Sequence, residues 1–237
     1  MSVLDRYVNG WASDEKLYIF LKSLSNIEIG GDRLYDGTGT HFMQNPKEFH
    51  DLLKFLVKAK FDFNMKLDRI LEFGWSTGLS HTIFYKVLRP MESVVVDLIE
   101  PSGMNTATFF ANLRFKNLTL IANDSTSKYT KEKLSKLGPY DFIFIDGGHD
   151  YETVRSDFLT AKQNASARSV IALHDIYAEQ PSEVKRFWEE IKSSKKFKTI
   201  EFCDHDETIK YGIGLVSIGS DDVFSENLHQ GYFCKVD

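Results

Sequence analysis

A chain of 237 residues with 27% charged residues and a net charge of −5 has the make-up of a globular protein of one large domain or two small ones. That acidic balance, with no long basic block, argues against an extended phosphate backbone as partner, so no nucleic acid is expected. No stretch approaches the length of a membrane span, and MSVLDRYVNGWASDEK has acids where a signal peptide needs an apolar core.

A cytoplasmic setting and no membrane partner are therefore expected. Cys203 and Cys234 lie far apart, without metal-ligand spacing, which fits a reducing compartment. Nineteen Phe and ten Tyr suit a substantial core and an aromatic-lined pocket.

Residues 1–44 read as an N-terminal segment that covers the ligand. It contains the glycine-rich GGDRLYDGTGT (30–40) and runs on into GTGTHFMQNP (37–46). His41 and Gln44 are candidate contacts there, and Tyr35, Phe42 and, further along, Tyr177 are candidate pocket walls. Residues 45–237 read as a single domain. Asn45-Pro46-Lys47-Glu48 places a cap residue, a proline at the first helical position and an acid at the third. Phe49, Leu52, Leu53 and Leu56 follow at helical spacing, giving one apolar face.

From here strands and helices alternate. RILEFG (69–74) reads as a short buried strand, followed by a helix over 77–88 that Arg89-Pro90 stops. SVVVDLIEP (93–101) is a second strand, and a helix over 103–114 leads to LTLIAND (118–124). A helix over 131–137 precedes DFIFID (141–146), and another over 151–163 precedes SVIALHD (169–175). The helix over 181–192 puts Val184, Phe187, Trp188 and Ile191 on one face. KTIEFC (198–203) and IGLVSI (213–218) close the series. Such alternation predicts an α/β, Rossmann-like, doubly wound sheet of seven strands with helices on both faces. The last two strands are joined by DHDETIKYG, too short for a parallel crossover, so an antiparallel strand near the C-terminus is expected.

In such sheets ligands bind beyond the carboxyl ends of the strands. EFGWSTGLS (72–80) lies there, after the first strand. Its G-x-x-x-G spacing differs from the dinucleotide G-x-G-x-x-G, but its glycines allow close backbone approach and the next helix offers free amides. A tight turn alone would also use those glycines. At the end of the second strand Asp97 and Glu100 both qualify to take ribose hydroxyls, and Glu100, directly before Pro101, is favoured. After the third strand, Asp124 and Ser125 are candidates for an exocyclic amine or for a simple turn. The fourth and fifth strands are expected neighbours, which brings Asp146, His149, His174 and Asp175 together. Two carboxylates and an imidazole can hold a hard divalent ion, an ion can acidify a substrate hydroxyl, and a histidine can take its proton.

Together these stretches resemble the class I S-adenosylmethionine-dependent methyltransferases over about residues 42–218. ILEFGWSTGLS is similar to the family's first motif, VVVDLIEP to its second, DSTS to its adenine-side segment and DFIFIDGGHDYETVRSDF to its fourth. GIGLVSI looks like its final antiparallel strand. DGGHDYETVRSDF with VIALHDI most resembles the branch of macrolide-sugar O-methyltransferases and cephalosporin-hydroxylase-like enzymes. The resemblance implies S-adenosyl-L-methionine as cofactor, held by Glu72, Gly74, Trp75, Ser76, Gly78, Ser80, Asp97, Glu100, Asp124, Ser125 and Asp146. It implies a divalent ion, magnesium, on Asp146, His174 and Asp175, although the branch commonly carries Glu at the position of His174. It implies O-methylation of a small-molecule acceptor, a sugar among the candidates, with His149 as general base and Asp146 at the catalytic centre. A nicotinamide-dependent oxidoreductase and a non-catalytic cofactor-binding module are the alternatives, and whether the chain forms a homo-oligomer stays open.

Overall fold

The structure, a computed structural model, describes residues 17–19, 21, 44–76, 78–98, 117–178, 182–204 and 211–219. Asn45 opens helix α1 (Pro46–Phe61) as its sequence requires. Its side chain accepts from the amides of Lys47 at 2.8 Å and Glu48 at 3.2 Å, and Pro46 sits where no amide partner is needed. The face formed by Phe49, Leu52, Leu53 and Leu56 is fully buried.

The predicted alternation follows: β1 (Arg69–Phe73), α2 (Leu79–Leu88), β2 (Glu92–Asp97), β3 (Leu118–Ala122), α3 (Lys128–Leu137), β4 (Tyr140–Ile145), α4 (Tyr151–Gln163), β5 (Ala165–His174), α5 (Val184–Ser193), β6 (Thr199–Phe202) and β7 (Ile213–Ile218). Among the described residues these form one seven-stranded sheet in the order β3-β2-β1-β4-β5-β7-β6. The strands from β3 to β5 pair in parallel, and β7 runs antiparallel to both β5 and β6. The chain winds outward from β1 to β3 and then returns to place β4 on the other side of β1. That reversal opens a crevice at the carboxyl ends of β1 and β4.

The boundaries differ from the expectation where turn chemistry decides. Helix α2 starts at Leu79 instead of 77 because Ser76 (φ 46°) and Gly78 (φ 74°) are left-handed. Helix α3 starts earlier because Ser127 accepts from the Thr130 amide as its cap. Strand β5 begins at Ala165 instead of Ser169. The buried Asp141 accepts from the Ser166 hydroxyl at 2.9 Å and from the amides of Asp68 and Arg69, which ties together the starts of β1, β4 and β5. Helix α5 begins at Val184; residues 179–181, the expected helix over 103–114, Glu100, Tyr35, His41 and Phe42 lie outside the described residues.

The core has two halves, one on each face of the sheet. Helices α1 and α2 cover one face, where Phe84 meets Phe142 edge-on with ring centres 5.0 Å apart. Helices α4 and α5 cover the other, and Trp188 fits over Gly214, where a Cβ would lie 2.6 Å from its ring. Each buried aromatic contributes about 1.5–3 kcal/mol.

One buried acid joins these layers to the crevice. Glu48 of α1 accepts from the amides of Asp204 at 3.1 Å and Gly212 at 2.8 Å, so it holds both ends of the connection between β6 and β7. Burial pushes its carboxyl pKa up while the two amides pull it back. Glu48→Ala removes the acceptor of two buried amides and is expected to cost about 2–4 kcal/mol, with Glu48→Gln losing less. Urea unfolding midpoints of the three proteins check this ordering. Among the described residues no helix is long and apolar enough to cross a membrane.

Candidate active site

The glycine loop is fixed from both sides. The Gly74 amide donates to the Val96 carbonyl and the Asp146 amide donates to the Phe73 carbonyl, both at 2.8 Å. Gly74 itself is at φ 94°, and a Cβ there would lie 1.9 Å from the Asp146 carbonyl oxygen. Only glycine lets the exits of β1 and β4 approach so closely. The amides of Trp75 and Ser76 then both donate to Asp97 Oδ2, the latter at 3.0 Å. Gly78 begins α2 without a side-chain cap.

Not every expected cofactor contact faces the crevice with its side chain. The Trp75 ring is buried against His81 and fills the space where Gly78 would carry a Cβ. Glu72 is buried, accepting from the Ser80 hydroxyl at 2.5 Å and bonded to His81 Nδ1 at 2.8 Å. Burial pushes its carboxyl pKa up, and His81 and Ser80 oppose that. Glu72, Trp75 and Ser80 thus brace the loop from below, whereas Gly74, Ser76 and Gly78 present backbone.

Asp124 makes the turn that begins α3, accepting from the Thr126 amide and hydroxyl at 2.7 Å. Ser125 acts on Asp157, a residue that sequence reasoning missed. Asp157 lies on the sheet-facing side of α4 and is fully buried, with no hydrogen bond of ordinary geometry to either oxygen. A Cβ on Gly147 would be 3.7 Å from its Oδ2. Burial pushes its pKa up to about 7, with Ser125 opposing. An acid with a raised folded-state pKa makes stability fall as pH rises from about 4 through 7. Asp157→Asn removes that loss and is expected to raise stability by about 2 kcal/mol at pH 8 and by much less at pH 5. Thermal midpoints at the two pH values measure it.

At the exits of β4 and β5 the four expected residues do meet. Asp146 Oδ1 lies 2.9 Å from His174 Nδ1, and Gln44 Nε2 donates to Asp146 Oδ2 at 2.7 Å. Asp175 Oδ1 lies 3.3 Å from the same His174 nitrogen, and Asp175 Oδ2 lies 3.0 Å from His149 Nε2. Burial opposes charging His174, yet Asp146 and Asp175 outweigh it and push its pKa up to about 9. His149, whose ring is 53% exposed, has its pKa raised by the hydrogen bond to Asp175, with burial working against it. Gln44, a candidate contact of the covering segment, bonds to Asp146. Tyr177 instead donates its hydroxyl to Glu201 at 2.6 Å.

One donor atom each from Asp146, His149 and Asp175 falls within 4.8 Å of the others, a spacing a metal ion could use. The arrangement does not fit a resident magnesium ion, which takes oxygen ligands and retains waters. Each oxygen of both carboxylates already has a ring or amide nitrogen at 2.7–3.3 Å. The Nδ1 of His174 faces the two acids, and its Nε2 is buried without a hydrogen-bond partner.

Residues 71–176 match a family described as a methyltransferase domain. No curated protein matches the chain in sequence. Among solved structures, the chain is similar in fold to an O-methyltransferase from Bacillus cereus in complex with SAH, at 19% identity and a TM-score of 0.58, covering 87% of this chain and 100% of that one. It is similar to the O-methyltransferase TomG from Streptomyces achromogenes in complex with SAM, at 16% identity and TM-score 0.59, covering 93% and 100%. It is also similar to an rRNA methylase from Streptococcus thermophilus, at 11% identity and TM-score 0.55, covering 76% and 99%. The matched span runs from β1 through the turn after β5, so the part of the chain that carries the glycine loop and the acid–histidine cluster is similar to a methyltransferase domain.

Proposed function

We propose that the protein methylates a hydroxyl of a small polar acceptor, a sugar or similar polyhydroxylated molecule, with His149 as general base. The observation that carries this reading is the His149–Asp175 pair, an exposed imidazole bonded to a buried carboxylate beside the glycine loop. A carboxylate accepts, so Nε2 bears the ring proton and Nδ1 the lone pair. A hydroxyl is a weak nucleophile at neutral pH and must lose its proton as it attacks. His149 Nδ1 receives that proton, and Asp175 holds the ring in the right tautomer and steadies the imidazolium formed.

S-adenosylmethionine fits the crevice through the close backbone approach at Gly74 and the uncapped first turn of α2. When bound it supplies a methyl group on a cationic sulfur, open to in-line displacement. The loop from Gly74 to Gly78 holds it, and Asp97, with Oδ2 on the loop amides, keeps Oδ1 for a ribose hydroxyl. Glu100 is the other candidate for that role. Asp124 and Ser125 stand for the adenine side. The remaining work of the chain is to align acceptor and donor, the main source of rate in such a displacement. No step here runs through a metal ion.

The same fold serves an rRNA methylase, so fold does not choose the acceptor. The net charge of −5 disfavours a polyanion, and a positioned general base suits a hydroxyl, which must lose a proton as it attacks. The methyltransferase match weighs against an oxidoreductase, and the His149–Asp175 pair against a non-catalytic module. A cytoplasmic setting goes with this reading. The test is incubation with methyl-labelled cofactor and a panel of sugars, phenols, amines and RNA. Label on a hydroxyl of a small molecule is expected; label in RNA or on an amine alone would refute the reading.

A further inference from the structure

We infer that His174 takes the place of a divalent cation between Asp146 and Asp175, so that this site assembles and works without metal. The inference rests on the reading above for what the site does, but its own ground is the hydrogen-bond pattern. Asp146 leaves the end of β4, and Asp175 follows directly on β5, the neighbouring strand. Two carboxylates this close repel unless something positive or proton-bearing lies between them. His174 Nδ1 does, at 2.9 Å from one and 3.3 Å from the other. The N–H on Nδ1 donates there in either protonation state, and more strongly when the ring is charged.

The ring is not free to swing away. It is 4% exposed and packed between Phe144, with centres 6.3 Å apart, and Tyr211, at 5.5 Å. Tyr211 is held in turn, since its carbonyl accepts from the Tyr177 amide at 2.8 Å and the next residue, Gly212, donates to Glu48. The outer oxygens of the acids are also taken, by Gln44 Nε2 at 2.7 Å and His149 Nε2 at 3.0 Å. An ion entering this gap would have to displace an N–H donor from each acid and face a buried ring it cannot move. Asp175 sits at φ 65°, an uncommon backbone conformation for Asp, and its two ring contacts hold the side chain there. His174 is therefore a positioning residue: it sets Asp175, and Asp175 sets His149.

The experiment is a titration of the full chain, with S-adenosylhomocysteine present, by Mg²⁺ and by Mn²⁺ in the millimolar range. Thermal midpoint is read throughout, and the Mn²⁺ resonance signal reports bound ion. The wild type is expected to show the same midpoint with either ion as with EDTA, and no loss of the free Mn²⁺ signal. Saturable Mn²⁺ binding, or a midpoint rise with Mg²⁺, overturns the inference. His174→Glu replaces the N–H donor by an oxygen ligand and is expected to gain saturable Mn²⁺ binding. A folded His174→Glu protein that binds no Mn²⁺ also overturns it, and if that variant does not fold the wild-type titration decides alone. The stabilisation by S-adenosylhomocysteine is read in the same samples, so loss of the cofactor reading would appear separately from any result with the ions.

Discussion

Gly74→Ala is expected to lower stability by on the order of 5 kcal/mol, enough to leave a typical domain unfolded or nearly so. The new methyl would lie 1.9 Å from the Asp146 carbonyl oxygen and 2.6 Å from its carbon. These are backbone atoms, so no side chain can swing aside. Neither strand end can retreat either, because Gly74 donates to Val96 and Asp146 donates to Phe73 across the sheet. The φ of 94° adds strain of its own for any residue with a Cβ. Gly148→Ala is the control. Its methyl would meet the Thr153 side chain at 2.4 Å, with no positive φ to maintain, and about 1–2 kcal/mol is expected. Urea unfolding followed by circular dichroism separates the two; equal midpoints would mean that β1 and β4 do not approach each other as described.

His149→Ala is expected to lower kcat by roughly 10²–10⁴-fold, the usual contribution of a positioned general base. Affinity for S-adenosylhomocysteine is expected to stay within a factor of about two, because the ring is half exposed and bonds to Asp175, not to the glycine loop. The pH profile carries a second sign. A base works only when neutral, so activity is lost as pH falls through its pKa. Asp175 raises that pKa more than burial lowers it. The acid limb of kcat/KM is therefore expected above the ordinary imidazole value of about 6.5. Asp175→Asn takes away the carboxylate and is expected to move the limb to lower pH while reducing kcat. Unchanged turnover in His149→Ala would remove the histidine from the mechanism.

The sheet was legible in the chain because its signals are local. Short apolar runs between helix periods, Pro46 and Pro90 at helix ends, and the brief link before IGLVSI required little beyond spacing. Element starts were less legible where a side chain from elsewhere decides them. Asp141, reaching the Ser166 hydroxyl, lengthens β5 by four residues, and nothing near Ala165 announces it. The site was legible as a gathering of residues but not as a division of labour. DFIFIDGGHD brings Asp146 and His149 to one edge, yet which nitrogen faces which oxygen depends on Gln44, some 102 residues away in sequence from Asp146. Nothing in the sequence marks Asp157, because an acid on a helix normally reads as solvent-facing; only the packing of α4 puts it inside.

The proposed methyl transfer requires a cofactor in the crevice between β1 and β4. The direct measurement is thermal unfolding of the purified chain with S-adenosylhomocysteine, with NADH as control. At a hundredfold excess over its dissociation constant the ligand should add about 2.7 kcal/mol, a midpoint rise of about 5–10 °C for a chain of this size. That rise with S-adenosylhomocysteine and none with NADH is the predicted result. No rise at saturating S-adenosylhomocysteine, or a rise with NADH in its place, would contradict it.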